Sequence, residues 1–175
     1  MKGDLAVILM GSKVDYDHAA KIIEWLDFFG IRHELRIASA HKTPEKLLGI
    51  LAAYEADEAN IVYVAIAGLS NALCGMVDFA TACPVVTCPP PCESFGGADI
   101  FSSLRMPPGV ASGTILDPRN AAIFVAKIFG VADMNLRSKI RDYHTQQRDR
   151  IDSDELALGS KVGVSEAAGG EGADR

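Results

Sequence analysis

Positive charge, aromatic side chains and unbroken hydrophobic length are all scarce in this 175-residue chain, and each shortage excludes something. Lys and Arg number 17 against 23 Asp and Glu, a formal net charge of -6 with a pI near 5.2. Such a domain repels nucleic acid and anionic membrane surfaces, so neither is expected as a partner, whereas an anionic small molecule can still be held by local cations. Of four cysteines, Cys83, Cys88 and Cys92 lie close together at a spacing that fits no zinc or iron–sulfur pattern. No metal site is expected, and buried reduced thiols are.

The longest charge-free stretch, residues 59–77, approaches the length of a bilayer-spanning helix. Asn60, Gly68, Ser70, Asn71 and Gly75 break it, and its Val/Ile/Tyr-rich first half reads as a buried strand. The apolar run at the amino terminus follows Asp4 and is too short for a signal peptide, which points to a cytoplasmic protein. What remains is ordinary: 49% hydrophobic and 23% charged residues, enough for one sizeable core and too apolar for a disordered chain.

Strand and helix signals alternate. Residues 5–10 form an unbroken apolar run that stops at Gly11-Ser12, the pattern of a strand covered on both faces. Ala19, Ile22, Ile23, Leu26 and Phe29 then recur at helical spacing, and Gly30 supplies a left-handed terminator. A strand over residues 33–37 comes next, then a helix opened by Thr43 as N-cap and Pro44 at its first position, with Leu47, Leu48, Leu51 and Tyr54 as its buried stripe. Further strands are expected over 61–67, 84–88 and 111–116, and helices from Asn71 to Phe79, over 98–104, from Asp117-Pro118 to Gly130, and over 133–150. The composition beyond Gly159 predicts a disordered tail over 159–175. The fold class is therefore α/β: a single three-layer domain over 1–158 (core 5–131), with a mostly parallel, flavodoxin-like sheet and a C-terminal helix.

In such sheets ligands bind beyond the carboxyl ends of the strands, and the unusual residues fall there. Gly11-Ser12-Lys13-Val14-Asp15 joins a strand to a helix amino terminus, where backbone N–H groups and the helix dipole attract an anion; a plain tight turn is the competing reading. Ser39-Ala40-His41-Lys42 sets a proton carrier beside a cation. Gly68-Leu69-Ser70-Asn71 is a second glycine turn, in which Ser70 or Asn71 can serve merely as caps. His18, His33 and His144 fall on helix or strand faces where packing or solvation explains them. No hydrolase elbow and no flavin or nicotinamide signature is present.

Taken together the loops resemble the phosphoribosylaminoimidazole carboxylase family of purine biosynthesis. The likeness rests on the three loops just named, on Ala67-Gly68, on Cys88-Pro89-Pro90, and on Ser102-Ser103-Leu104-Arg105-Met106-Pro107. Lys42, rather than Arg, after His41 and the absence of a third-loop His match the branch that uses CO2 directly and not the mutase branch. The resemblance implies reversible carboxylation of aminoimidazole ribonucleotide by CO2, with no ATP, biotin, metal or other cofactor. It implies His41 as proton carrier, with Lys42 near the phosphate or the new carboxylate. Gly11, Ser12, Asp15, Ser39 and Ala40 would hold the ribose phosphate end; Gly68, Ser70 and Asn71 would line the CO2 side. It further implies a homo-oligomer, an octamer in family members. Two positions depart from the pattern, Val14 where the family has Ser and Leu69 where this branch has Arg, and they favour a competing reading as a non-catalytic nucleotide-binding relative.

Overall fold

The computed structural model describes residues 3–56 and 59–159. Five parallel strands, β1 (Leu5–Met10), β2 (His33–Ile37), β3 (Ile61–Ile66), β4 (Val85–Thr87) and β5 (Gly113–Thr114), form one sheet in the order β2-β1-β3-β4-β5. That is the flavodoxin-like order inferred from the alternation. Between the strands run α1 (Tyr16–Phe29), α2 (Pro44–Glu55), α3 (Ala72–Phe79), a short α4 (Phe101–Leu104) and α5 (Pro118–Phe129); α6 (Met134–Gly159) follows.

Strands β1 and β3 are central and every residue in them is buried, as their unbroken apolar sequences require. Alternate residues serve opposite faces. Leu5, Val7, Leu9, Tyr63 and Ala65 pack with Leu47 and Leu51 of α2 and Leu73 and Val77 of α3. Ala6, Ile8, Val62 and Val64 point to the other face by the two-residue period, where α1 and α5 lie against each other and Arg119 stacks 4.4 Å from the Trp25 ring centroid. Truncating a fully buried residue such as Leu9 to Ala would cost about 2–5 kcal/mol.

Several expectations needed correction. Leu48 is exposed: Leu47, Leu51 and Tyr54, at i, i+4 and i+7, define the buried stripe, and Leu48 lies one residue around the helix from it. The Thr43 hydroxyl does not cap α2; it accepts from Ser39 N at 2.9 Å, and this tie closes the preceding loop instead. Residues 94–100 form 3-10 turns interrupted by left-handed Phe95, Gly96 and Gly97, so only Phe101–Leu104 is α-helical. Strand β5 has two residues rather than six, because Pro84 and Pro89 bracket β4 and leave it little backbone to pair with. Helix α6 runs nine residues past its expected end, with Leu136, Ile140 and Tyr143 buried as the spacing indicated. The chain divides into two compact units between Ile140 and Arg141. The expected tail beyond Gly159 lies outside the described residues.

Candidate active site

In the order β2-β1-β3, successive strands leave β1 on opposite sides, and the loops after β1 and β3 part to open a crevice between them. A cavity of about 410 Å³ lies there. Three loops line it: Gly11, Ser12, Val14 and Asp15 after β1; Ser39, Ala40, His41 and Lys42 after β2; and Ala67, Gly68, Leu69 and Ser70 after β3, with Leu73 of α3 as an apolar wall. Residues up to 62 positions apart in Gly11 and Leu73 are thus brought together by the crossing of the chain, and nearly all the residues singled out in the sequence meet at this one place.

Asn71 is the exception. Its side chain is buried and is absent from the cavity lining. The amide donates to Thr87 Oγ1 at 2.7 Å and to Ser103 Oγ at 2.9 Å, while Oδ1 accepts from Cys74 N at 3.2 Å as the cap of α3. Ser102 Oγ accepts from Asn71 N at 3.0 Å, and its single proton has Asp99 O at 2.8 Å and Leu69 O at 3.0 Å as acceptors. The Ser102-Ser103 pair therefore holds the third loop from behind; the sequence marks this segment only through the family resemblance and gives it no role.

The first loop is a capping box. Ser12 N donates to Asp15 Oδ2 at 3.1 Å and Val14 N donates to Ser12 Oγ at 3.1 Å, so two of the donors expected to face an anion are satisfied within the turn. The Ser12 hydroxyl proton stays available to a ligand oxygen. Asp15 is nearly buried; burial pushes its carboxyl above the usual range, and the Ser12 N–H and nearby His18 oppose that shift.

The second loop is tied by Thr43, and Lys42 N donates to Ser39 Oγ at 3.2 Å. His41 and Lys42 are exposed at the mouth, and among the described residues neither side chain has a hydrogen-bond partner, which leaves both free to engage a ligand. Lys42 is the one cation among the lining residues.

In the third loop the left-handed position is Leu69, with φ of 58°, and not Gly68. A leucine there costs about 1–2 kcal/mol in backbone strain. A Cβ on Gly68 would lie 3.5 Å from Pro90 Cγ of the proline loop, an ordinary van der Waals contact, so the space at this position does not itself require glycine. Val14 and Leu69 stand exposed and line the cavity, giving its rim an apolar character. Among the described residues no three His, Cys, Asp or Glu side chains come together as a metal site.

Residues 5–150 match the AIR carboxylase family. The chain belongs to that family. The phosphoribosylaminoimidazole carboxylase of Archaeoglobus fulgidus is 51% identical over 150 residues, 86% of this chain and 82% of that protein. The phosphoribosylaminoimidazole carboxylase of Treponema denticola is 44% identical over 154 residues, 88% of this chain and 97% of that one. A human bifunctional phosphoribosylaminoimidazole carboxylase/phosphoribosylaminoimidazole succinocarboxamide synthetase is 45% identical over 135 residues, which make up 32% of its length. The crystal structure of Treponema denticola PurE superposes with a TM-score of 0.86 at 43% identity, covering 91% of this chain and 98% of the other. The family assignment accords with a cavity built from the ends of β1, β2 and β3.

Proposed function

We propose that the chain carboxylates 5-aminoimidazole ribonucleotide with CO2 to give 4-carboxy-5-aminoimidazole ribonucleotide, reversibly and without ATP, biotin or metal. The observation that carries this reading is the convergence of Ser12, Asp15, Ser39, His41, Lys42, Gly68 and Ser70 on one cavity in a member of the AIR carboxylase family.

The substrate's amino group makes its ring an enamine, so the ring carbon is itself the nucleophile and no covalent catalyst is required. Its electron pair forms the new bond to the CO2 carbon, a C=O pair moves onto oxygen as carboxylate, and the ring carbon then loses its proton. His41, exposed and unpaired at the mouth, is the group to take that proton. Lys42 stabilises the carboxylate charge or holds the phosphate. Ser12 and Ser39 each retain a hydroxyl proton for phosphate oxygens, and Asp15 accepts from ribose hydroxyls. Gly68, Ser70 and the apolar side chains of Leu69 and Leu73 bound the CO2 side and limit water there.

We read the protein as cytoplasmic and as a homo-oligomer, an octamer by its family likeness. Exposed Phe79, Phe95, Phe101, Leu104 and Leu116 support self-association. Among the described residues no helix is long and apolar enough to cross a membrane.

The deciding experiment is turnover of aminoimidazole ribonucleotide in bicarbonate-equilibrated buffer without ATP, run beside the N-carboxylated isomer. Carbon-carboxylated product that grows with dissolved CO2 is expected. Product from the N-carboxylated isomer alone would assign the chain to the mutase reaction, and nucleotide binding without turnover of either would make it a binding protein.

A further inference from the structure

His18 has no part in the chemistry above, yet it is buried at the base of the first cavity loop. It lies three residues beyond Asp15, hence on the same side of the α1 amino terminus. Its Nε2 sits 3.3 Å from Cys88 Sγ. The thiol proton has two acceptors within reach, Leu116 O at 3.7 Å and the ring nitrogen, and the direction of the His18–Cys88 contact follows the ring tautomer.

Cys88 opens the proline loop, and Pro90, two residues on, lies beside Gly68, its Cγ 3.5 Å from where a Cβ on that glycine would stand. The His18–Cys88 contact therefore joins the start of α1, just after the first loop, to the segment whose Pro90 lies beside Gly68 of the third. An aliphatic side chain would fill the space between a helix and a strand end without the desolvation cost that an imidazole carries. Burial holds His18 below its ordinary pKa; a hydrogen bond to the Cys88 backbone opposes that shift, Lys21 lowers it further, and the carboxylates of Asp15 and Asp117 also oppose, so the ring is neutral near pH 7. Burial raises the Cys88 thiol to about 12, so the sulfur stays protonated. The contact is thus between two neutral groups, short and directional.

We propose that His18 is a positioning residue of the substrate cavity, bracing the Ser12–Asp15 turn against the Cys88 proline loop so that the first and third walls keep their spacing. This rests on the carboxylase reading for its kinetic consequence, but the brace itself does not. Three variants test it. His18→Phe removes both ring nitrogens while keeping bulk, His18→Gln keeps an amide able to reach the sulfur, and Cys88→Ala removes the partner.

In the turnover assay, His18→Phe is expected to raise KM for aminoimidazole ribonucleotide about tenfold with kcat changed less than threefold, Cys88→Ala to shift KM the same way, and His18→Gln to recover most of the wild-type KM. Hydrogen exchange on the free protein is measured beside it. Faster exchange of the amides of residues 12–16, Cys88 and Cys92 is expected in His18→Phe, and of the amides of residues 12–16 and Cys92 in Cys88→Ala, with near-wild-type exchange in His18→Gln. Wild-type KM in folded His18→Phe, or a loss of kcat that His18→Gln does not rescue, would overturn the proposal. If the wild type itself is silent, the carboxylase reading has failed; unchanged exchange in His18→Phe then overturns the brace, and faster exchange upholds it.

Discussion

The Asn71 side-chain amide donates to Thr87 Oγ1 at 2.7 Å, and Thr87 Oγ1 in turn donates to Ala65 O at 3.1 Å. The third cavity loop is thereby fastened to the interior of β3 and β4, behind the surface a ligand would touch. Asn71 is a bracket for the cavity wall and not part of it. Asn71→Ala leaves Thr87 and Ser103 without their donor and α3 without its cap, and should destabilise by about 2–4 kcal/mol. The check is chemical denaturation, together with KM measured well below the unfolding transition. A KM change with unaltered stability would return Asn71 to the substrate side.

His41 is the proton carrier of the proposed reaction. His41→Gln keeps a polar side chain of similar reach but cannot cycle a proton, and kcat should fall by roughly 10²–10⁴-fold with the thermal midpoint unmoved. Wild-type kcat in this variant would require a different base.

Lys42 is the sole cation among the residues lining the cavity, where Leu69 contributes an apolar side chain. Lys42→Ala should lower kcat/KM by about tenfold to a hundredfold, the scale of one charge-assisted hydrogen bond. Adding Leu69→Arg to Lys42→Ala should restore part of the loss. Steady-state kinetics on the single and double variants decide the matter; if neither change alters turnover, the charge at this rim has been assigned to the wrong residues.

Leu69 adopts φ of 58° while remaining exposed, so its side chain contributes little burial to offset the strain. Leu69→Gly relieves about 1–2 kcal/mol of strain and adds about 0.5–1 kcal/mol of unfolded-chain entropy. The expected net gain is about 0.5–1 kcal/mol, read as a higher denaturant midpoint with unchanged slope. A lower midpoint would mean that the leucine makes contacts worth more than its strain.

Burial raises the folded-state pKa of Asp15 above the ordinary value of 3.8. The folded protein therefore binds the proton more tightly than the unfolded chain, and Asp15 opposes folding increasingly as pH rises from 3.8 through the raised value. Asp15→Asn, which still accepts from Ser12 N, should be more stable than wild type at pH 7, with the difference shrinking toward pH 4. Substrate affinity should fall in the same variant, since a carboxylate acceptor is lost. Paired thermal melts at the two pH values test the sign.

Much was legible in the chain because it is written in local patterns. The unbroken apolar runs of β1 and β3, the helical spacing of α1, the Asp117-Pro118 start of α5 and the alternation of strand with helix specify a parallel sheet flanked on both faces, and the sheet directs attention to the loops at its carboxyl end. Gly11–Asp15, Ser39–Lys42 and Gly68–Ser70 were visible there as residue types out of keeping with plain connections. What the sequence alone could not supply depends on groups distant along the chain. That Asn71 turns inward follows from Thr87 and Ser103 lying within reach of its amide; that Thr43 ties a loop rather than capping α2 follows from the fold of residues 39–43. His18 reads as a packed helix residue until β4 carries Cys88 to within 3.3 Å of it. Hydrophobic period and turn chemistry are local and determine the elements. The partners of a buried polar group are set by chain crossings, and only the tertiary structure decides which polar residues face the ligand and which hold the walls that do.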